Sequence, residues 1–190
     1  MTKLLPGILA MAAIVVASNI LVQFLLGPWL TWGAFTYPFA FLVTDLTNRI
    51  QGAQAARRVV LVGFAVGVVC SLIGSQIMGE FGPLVSFRVA VGSGLAFLAA
   101  QLTDVAIFNR LRASAWWKAP LVSTLISASL DTAIFFTLAF SAAFTALEPA
   151  NDVTWAGEML PLLGLGPTAP LWVSLAIADW LVKLLLAIVA

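Results

Sequence analysis

The sequence predicts an all-α integral membrane protein: a single domain over residues 1–190 with six transmembrane helices and both termini cytoplasmic. Three observations predict it. First, 62% of the residues are hydrophobic and only 9% charged, with a mean hydropathy of +1.09; soluble domains are nearer half apolar and about a quarter charged. Second, six apolar segments approach the roughly 20 residues a helix needs to cross the hydrocarbon core. Third, the basic residues gather at one set of alternate segment ends.

In chain order the segments are 8–26, 31–51, 58–79, 88–111, 120–144 and 170–190. The breaks between them are GPW (27–29), GAQAAR (52–57), GEFGP (79–83), RASAWWK (112–118) and the stretch 148–168, all Gly, Pro or charged punctuation. The first segment follows Lys3 and imitates a signal peptide. It is long for a signal h-region and no A-x-A-like site closes it convincingly, so a retained span is expected. Lys3, Arg49, Arg57, Arg58, Arg110, Arg112 and Lys118 fall at one set of ends, against Arg88 alone at the other with Glu80, Glu148, Asp152 and Glu158. The positive-inside rule then places both termini in the cytoplasm. Stretch 148–168 becomes an external loop, and Arg88 an interfacial anchor or an entry-side gate. Trp29, Trp32, Trp116 and Trp117 lie at span ends, as an aromatic belt requires. A faint internal echo pairs AFLVTDLTN (40–48) with AFLAAQLTD (96–104), relating the second span to the fourth.

Composition also excludes. Histidine is absent and Cys70 is the one cysteine, which leaves no disulfide framework and no ordinary His/Cys metal site; neither metal nor cofactor is expected. The net charge of +1 gives no reason for a nucleic-acid partner. The partners to expect are the lipid bilayer and a small molecule.

Ionisable groups inside spans cost several kcal/mol unless paired or facing a cavity. Half of the eight acidic residues lie there: Asp45, Asp104, Asp131 and Asp179. Asp45 and Arg49 stand four apart on one helix face, as do Asp179 and Lys183, so each couple can self-neutralise or contribute to a site. Asp131 has no basic neighbour on its own segment and continues a face with Ser123, Ser127 and Phe135. Gln101 shares a face with Asp104, with Phe108 beyond; Asn48 lies near Asp45; Asn19 and Gln23 read as interhelical glue. Carboxylates, amides and aromatics with no His, Cys or Ser-His pair are poor equipment for nucleophilic catalysis. They suit a planar heterocycle: a carboxylate accepts from an N–H edge, an amide matches a carbonyl, and a ring stacks on the face. Residues alone thus reach a carrier or binder of a small polar solute.

YPFAFLVTDLTNRIQG (37–52), QLTDVAIFNRLR (101–112), WWKAP (116–120), STLISASLDTAIFF (123–136) and DWLVK (179–183), in that order, resemble the queuosine precursor transporter family, also called the vitamin uptake transporter family. The resemblance covers nearly the whole chain and is weakest in the first span and in 148–168. It implies a bacterial inner-membrane importer of 7-cyano-7-deazaguanine and 7-aminomethyl-7-deazaguanine. It further implies Asp131 or Asp104 at the guanine edge with Gln101 and Asn48 as amide partners. Phe135 and Ser127 would line the site, and Asp45, Arg49, Asp179 and Lys183 would form a charge network beneath it. Arg110, Trp117 and Lys118 match the family pattern at the cytoplasmic rim. A rival reading is the substrate-binding membrane subunit of an energy-coupling factor importer, which needs a partner ATPase; that, and homodimerisation, the sequence leaves open. An intramembrane aspartyl protease would need Tyr-Asp and Gly-x-Gly-Asp motifs, and neither is present.

Overall fold

A computed structural model describes residues 2–80 and 82–189. The fold is mostly helical: α1 (Leu5–Leu21), α2 (Gly33–Thr36), α3 (Phe39–Gln51), α4 (Ala53–Gly74), α5 (Phe87–Leu111), α6 (Lys118–Phe140) and α7 (Leu171–Val189). Helices α4 to α7 are each long and apolar enough to cross a membrane, and α1 is a shorter apolar helix of 17 residues. This is a multi-pass membrane protein.

Three apolar segments end sooner than the sequence predicts, the fifth among them, since α6 stops at Phe140 rather than at 144. Helix α1 stops at Leu21, and the chain forms a hairpin pairing Leu25–Leu26 with Leu30–Thr31. Gly27 turns it with φ +70°, a conformation that favours glycine. Asn19 consequently bonds its own helix at the Val15 carbonyl and Gln23 lies exposed past the helix end, so neither ties helices together. Helix α4 similarly ends at Gly74 before a second hairpin pairing Met78–Gly79 with Gly82–Pro83.

The second segment is divided at Pro38, which lacks the N–H needed to continue the ladder. Tyr37 keeps helical dihedrals (φ −57°, ψ −39°), so the chain bends there rather than stopping. Gly52, at φ +88°, ends α3 and starts α4, reversing the chain in one residue.

The first of the two ends of the bundle is basic. There Gln51 Nε2 donates to the Lys3 carbonyl (2.8 Å) and Arg49 Nη2 to the Trp116 carbonyl (2.7 Å), drawing together three segment ends. At the other end, Arg88 is fully buried rather than interfacial. Its guanidinium donates to the carbonyls of Leu138 (3.1 Å) and Ser141 (2.6 Å) at the C-terminus of α6, where a cation meets the negative end of the helix dipole. Its backbone N–H donates to Glu148 Oε2 at 3.0 Å and pins the loop that follows α6.

Met11, Val15, Ala40, Ala56, Val59, Val60, Phe97 and Val105 form the apolar core. Close approach depends on Gly63: a Cβ there would sit 2.6 Å from Met11 Cγ and 3.1 Å from Phe97 Cζ, so α1, α4 and α5 meet over a bare backbone. Helix α6 packs on both α5 and α7, and α3 on α4 and α5, whereas α3 and α7 make little direct contact. That seam becomes a cavity.

Candidate functional site

Two polar centres lie within the bundle. The first joins α6, α7 and the bend before α3. Lys183 Nζ donates to Asp131 Oδ2 (2.7 Å), Asp179 Oδ2 (2.5 Å) and Thr132 Oγ1 (3.2 Å). Thr132 donates in turn to Asp179 (3.0 Å). Tyr37 Oη donates to Asp131 Oδ1 at 3.0 Å, its ring 5.3 Å from the lysine nitrogen. The bend at Pro38 is what aims Tyr37 this way, with Phe41 and Phe97 packed edge-on against its ring. Both oxygens of Asp131 therefore have partners, and all three lysine donors are used. The carboxylate expected to stand free is the most fully bonded of the four.

The second centre joins α3, α5 and α6. Thr44 Oγ1 donates to Gln101 Oε1 (2.6 Å) and Asn48 Nδ2 to the Val105 carbonyl (3.1 Å). Both bonds span 57 residues, so α3 and α5 run parallel and in register over the two echoing segments. That register faces Asp45 toward Asp104, whose other polar neighbours are Ser123 and Ser127 on α6. Asp104, Gln101, Asn48 and Ser127 are completely buried and Asp45 is 6% exposed. Yet Asp45 Oδ1, both oxygens of Asp104, Asn48 Oδ1, Gln101 Nε2 and Ser127 Oγ have no hydrogen-bond partner among the described residues. Six buried polar atoms without partners in one place are costly in a folded protein, about 1–3 kcal/mol apiece.

A cavity of about 600 Å³ opens beside this centre at the basic end, between α3 and α7. Asp45, Arg49, Phe41, Phe108, Trp117 and Lys183 are among its walls, and its volume falls within the roughly 300–1,000 Å³ of small-molecule pockets. Arg49 does not pair with Asp45. Its guanidinium lies 5.3 Å over the Phe108 ring and reaches the Trp116 carbonyl, so the spacing-based pair forms at Asp179–Lys183 only. Phe135 belongs to an aromatic cluster with Phe136 and Phe140, itself packed on Trp155 beyond α6, rather than to either polar centre.

Sequence reasoning missed Tyr37, Phe41, Thr44 and Thr132. Tyr37 had a signal, being the one tyrosine of the chain and next to a proline inside a span. The others had none.

The family model described as "Putative vitamin uptake transporter" matches residues 31–190. The chain belongs to that family. Every residue of both polar centres falls inside the match to the vitamin uptake transporter family. The chain is 37% identical to the "Queuosine precursor transporter" of Escherichia coli (strain K12), in an alignment covering 93% of this chain and 77% of the relative. It is 37% identical to a "Probable queuosine precursor transporter" of Haemophilus influenzae over 66% of this chain and 57% of that one. A similarly named protein of Bacillus subtilis (strain 168) is 26% identical over 87% and 70%. These relatives are named as transporters and not as enzymes. No solved structure matches.

Proposed function

We propose that this protein imports queuosine precursors, the 7-deazaguanine bases 7-cyano-7-deazaguanine and 7-aminomethyl-7-deazaguanine, across a bacterial inner membrane. In this reading residues 1–190 form one six-span domain with both termini in the cytoplasm: α1, the bent α2–α3 pair, and α4 to α7 each cross once. The charge asymmetry supports the orientation, and the names of the relatives support the substrate class.

The observation that carries the reading is the set of unpartnered atoms around Asp104. A guanine-type edge offers N1–H and a 2-amino group, which a carboxylate accepts as a pair; its O6 needs a donor, and Gln101 Nε2 is a buried donor without a partner. Asn48, Asp45 and Ser127 complete the polar rim, and Phe41 or Phe108 from the cavity wall supplies a flat face. Asp131, Asp179 and Lys183 are assigned to a clamp between α6 and α7 instead of to the base, and Arg49 to the cavity mouth.

The experiment is a binding titration of the purified protein with both precursors and guanine, repeated on Asp104→Ala and Asp131→Ala. Binding should fall sharply in Asp104→Ala at normal folded yield, and Asp131→Ala should lose yield first. Near-normal affinity in a well-folded Asp104→Ala would reject the assignment. Uptake into proteoliposomes holding this protein alone distinguishes a self-sufficient importer from a subunit that requires a coupling ATPase.

A further inference from the structure

We propose that Asp45 and Asp104 together hold one exchangeable proton, and that its passage inward is coupled to entry of the base. The proposal rests on the import reading above and adds its driving force. Two carboxyl groups from different helices face each other with three of their four oxygens buried and unpartnered. Both ion pairs found among the described residues belong to Lys183, so this couple is in no ion pair, and Arg49, one turn beyond Asp45, acts on it only through space. Two such groups in a poorly solvated site cannot both be ionised; one proton shared between them relieves the repulsion.

The surroundings leave that proton nowhere else to go. On α3, Arg49 is turned to the Trp116 carbonyl and the Phe108 ring. Helix α5 contributes Gln101, and α6 contributes Ser123 and Ser127, all uncharged. On α4, Arg57 and Arg58 are exposed at the basic end, and α1 carries no ionisable side chain. On α7, Lys183 is held by Asp131 and Asp179. Ser127, completely buried, turns its uncharged hydroxyl toward Asp104.

The two carboxyls are also unequal in access. Asp104 is completely buried, whereas Asp45 lines the cavity at the basic end. An ionised Asp104 accepts the N–H edge of the base while Asp45 keeps the proton. When the base leaves, water takes its place at Asp104 and the Asp45 O–H bond breaks, its proton passing to cavity water on the cytoplasmic side; the two carboxylates, now hydrated, take up one proton from the external side before the next base binds. One proton, hence one positive charge, enters with each neutral base.

The test uses purified protein in proteoliposomes and labelled 7-cyano-7-deazaguanine, which has no aliphatic amine to ionise. With the membrane potential held at zero by valinomycin and equal potassium on both sides, an inward gradient of one pH unit, acidic outside, should drive about tenfold accumulation at one proton per base. A protonophore should abolish it, and adding the base should acidify a lumenal pH dye. Asp45→Asn should abolish both the accumulation and the acidification. Equilibration without accumulation, or accumulation driven by sodium instead, would overturn the proposal while leaving base import standing. Failure of the wild type to exchange labelled base even without a gradient would remove the import reading, and this proposal with it. The wild-type measurements decide the matter should Asp45→Asn fail to fold.

Discussion

Asp131 with Asp179, and Asp45 with Asp104, are both carboxyl couples bridging two helices inside the bundle, yet the fold treats them oppositely. The first has Lys183 between its members, Thr132 and Tyr37 around it, and a partner for both oxygens of Asp131. The second has no lysine, and three of its oxygens have no partner. A membrane bundle lacking a hydrophobic drive between helices gains from saturated polar contacts such as the first. It loses by keeping the second, which is why the second is the one proposed as the site. The difference separates architecture from site more sharply than composition does, because both couples look alike in the sequence.

The comparison breaks most easily at Lys183. Lys183→Met leaves Asp131 and Asp179 facing each other without a cation, and removing one member of a buried ion pair costs about 3–5 kcal/mol. A large fall in thermal midpoint and in monodisperse yield in detergent is expected. Adding Asp131→Asn and Asp179→Asn to the same variant should recover at least half of the loss. Asp104→Ala is the opposite case. It should weaken base binding at least tenfold, about 1.4 kcal/mol or more. Stability should stay level or rise by up to about 1 kcal/mol, because a buried charge without a partner is removed. A titration and a melting curve on one preparation check both halves. Unfolding of Asp104→Ala would show that the second centre is architectural after all.

These two centres also mark how far the sequence could be read. Asp179–Lys183 is a relation within one helix turn, and local spacing is enough to find it. The identical spacing of Asp45 and Arg49 misleads, because Arg49 stands at the basic end, where the Trp116 carbonyl and the Phe108 ring compete for its guanidinium. Asp131–Lys183 and Asp45–Asp104 join residues 52 and 59 positions apart, and they depend on how each helix is rotated about its axis, which no single segment encodes. The echo of 40–48 in 96–104 came nearest: its polar positions Asp45, Asn48, Gln101 and Asp104 are the ones the parallel α3–α5 register brings together. Among the helices, α4 to α7 followed from hydropathy, whereas the hairpins that shorten α1 and α4 did not, since Leu25, Leu26 and Met78 are as apolar as any helical residue.

Tyr37→Phe sharpens the contrast from the saturated side. Deleting one hydroxyl strips Asp131 Oδ1 of its donor and keeps the aromatic packing on Phe41 and Phe97. A loss of about 1–2 kcal/mol in stability is expected, smaller than for Lys183→Met because the ion pair survives. Base affinity should change less than about twofold if the clamp and the site are separate, since 1.4 kcal/mol is needed for a tenfold effect. Parallel melting and titration would expose any coupling between the centres.

Arg49→Gln should have the smallest effect. If Arg49 locked Asp45 in a buried ion pair, removing it would cost several kcal/mol. The guanidinium is instead exposed, resting on the Phe108 ring and one carbonyl, where a cation–π contact contributes about 0.5–1 kcal/mol. Stability should therefore fall by no more than about 1 kcal/mol. Its place at the cavity mouth predicts a kinetic effect instead: slower uptake of the base at unchanged equilibrium affinity. Uptake rates and titrations on Arg49→Gln separate the two roles. A large drop in melting temperature would restore the Asp45–Arg49 pair and supply the second centre with the counter-charge that sets it apart by lacking.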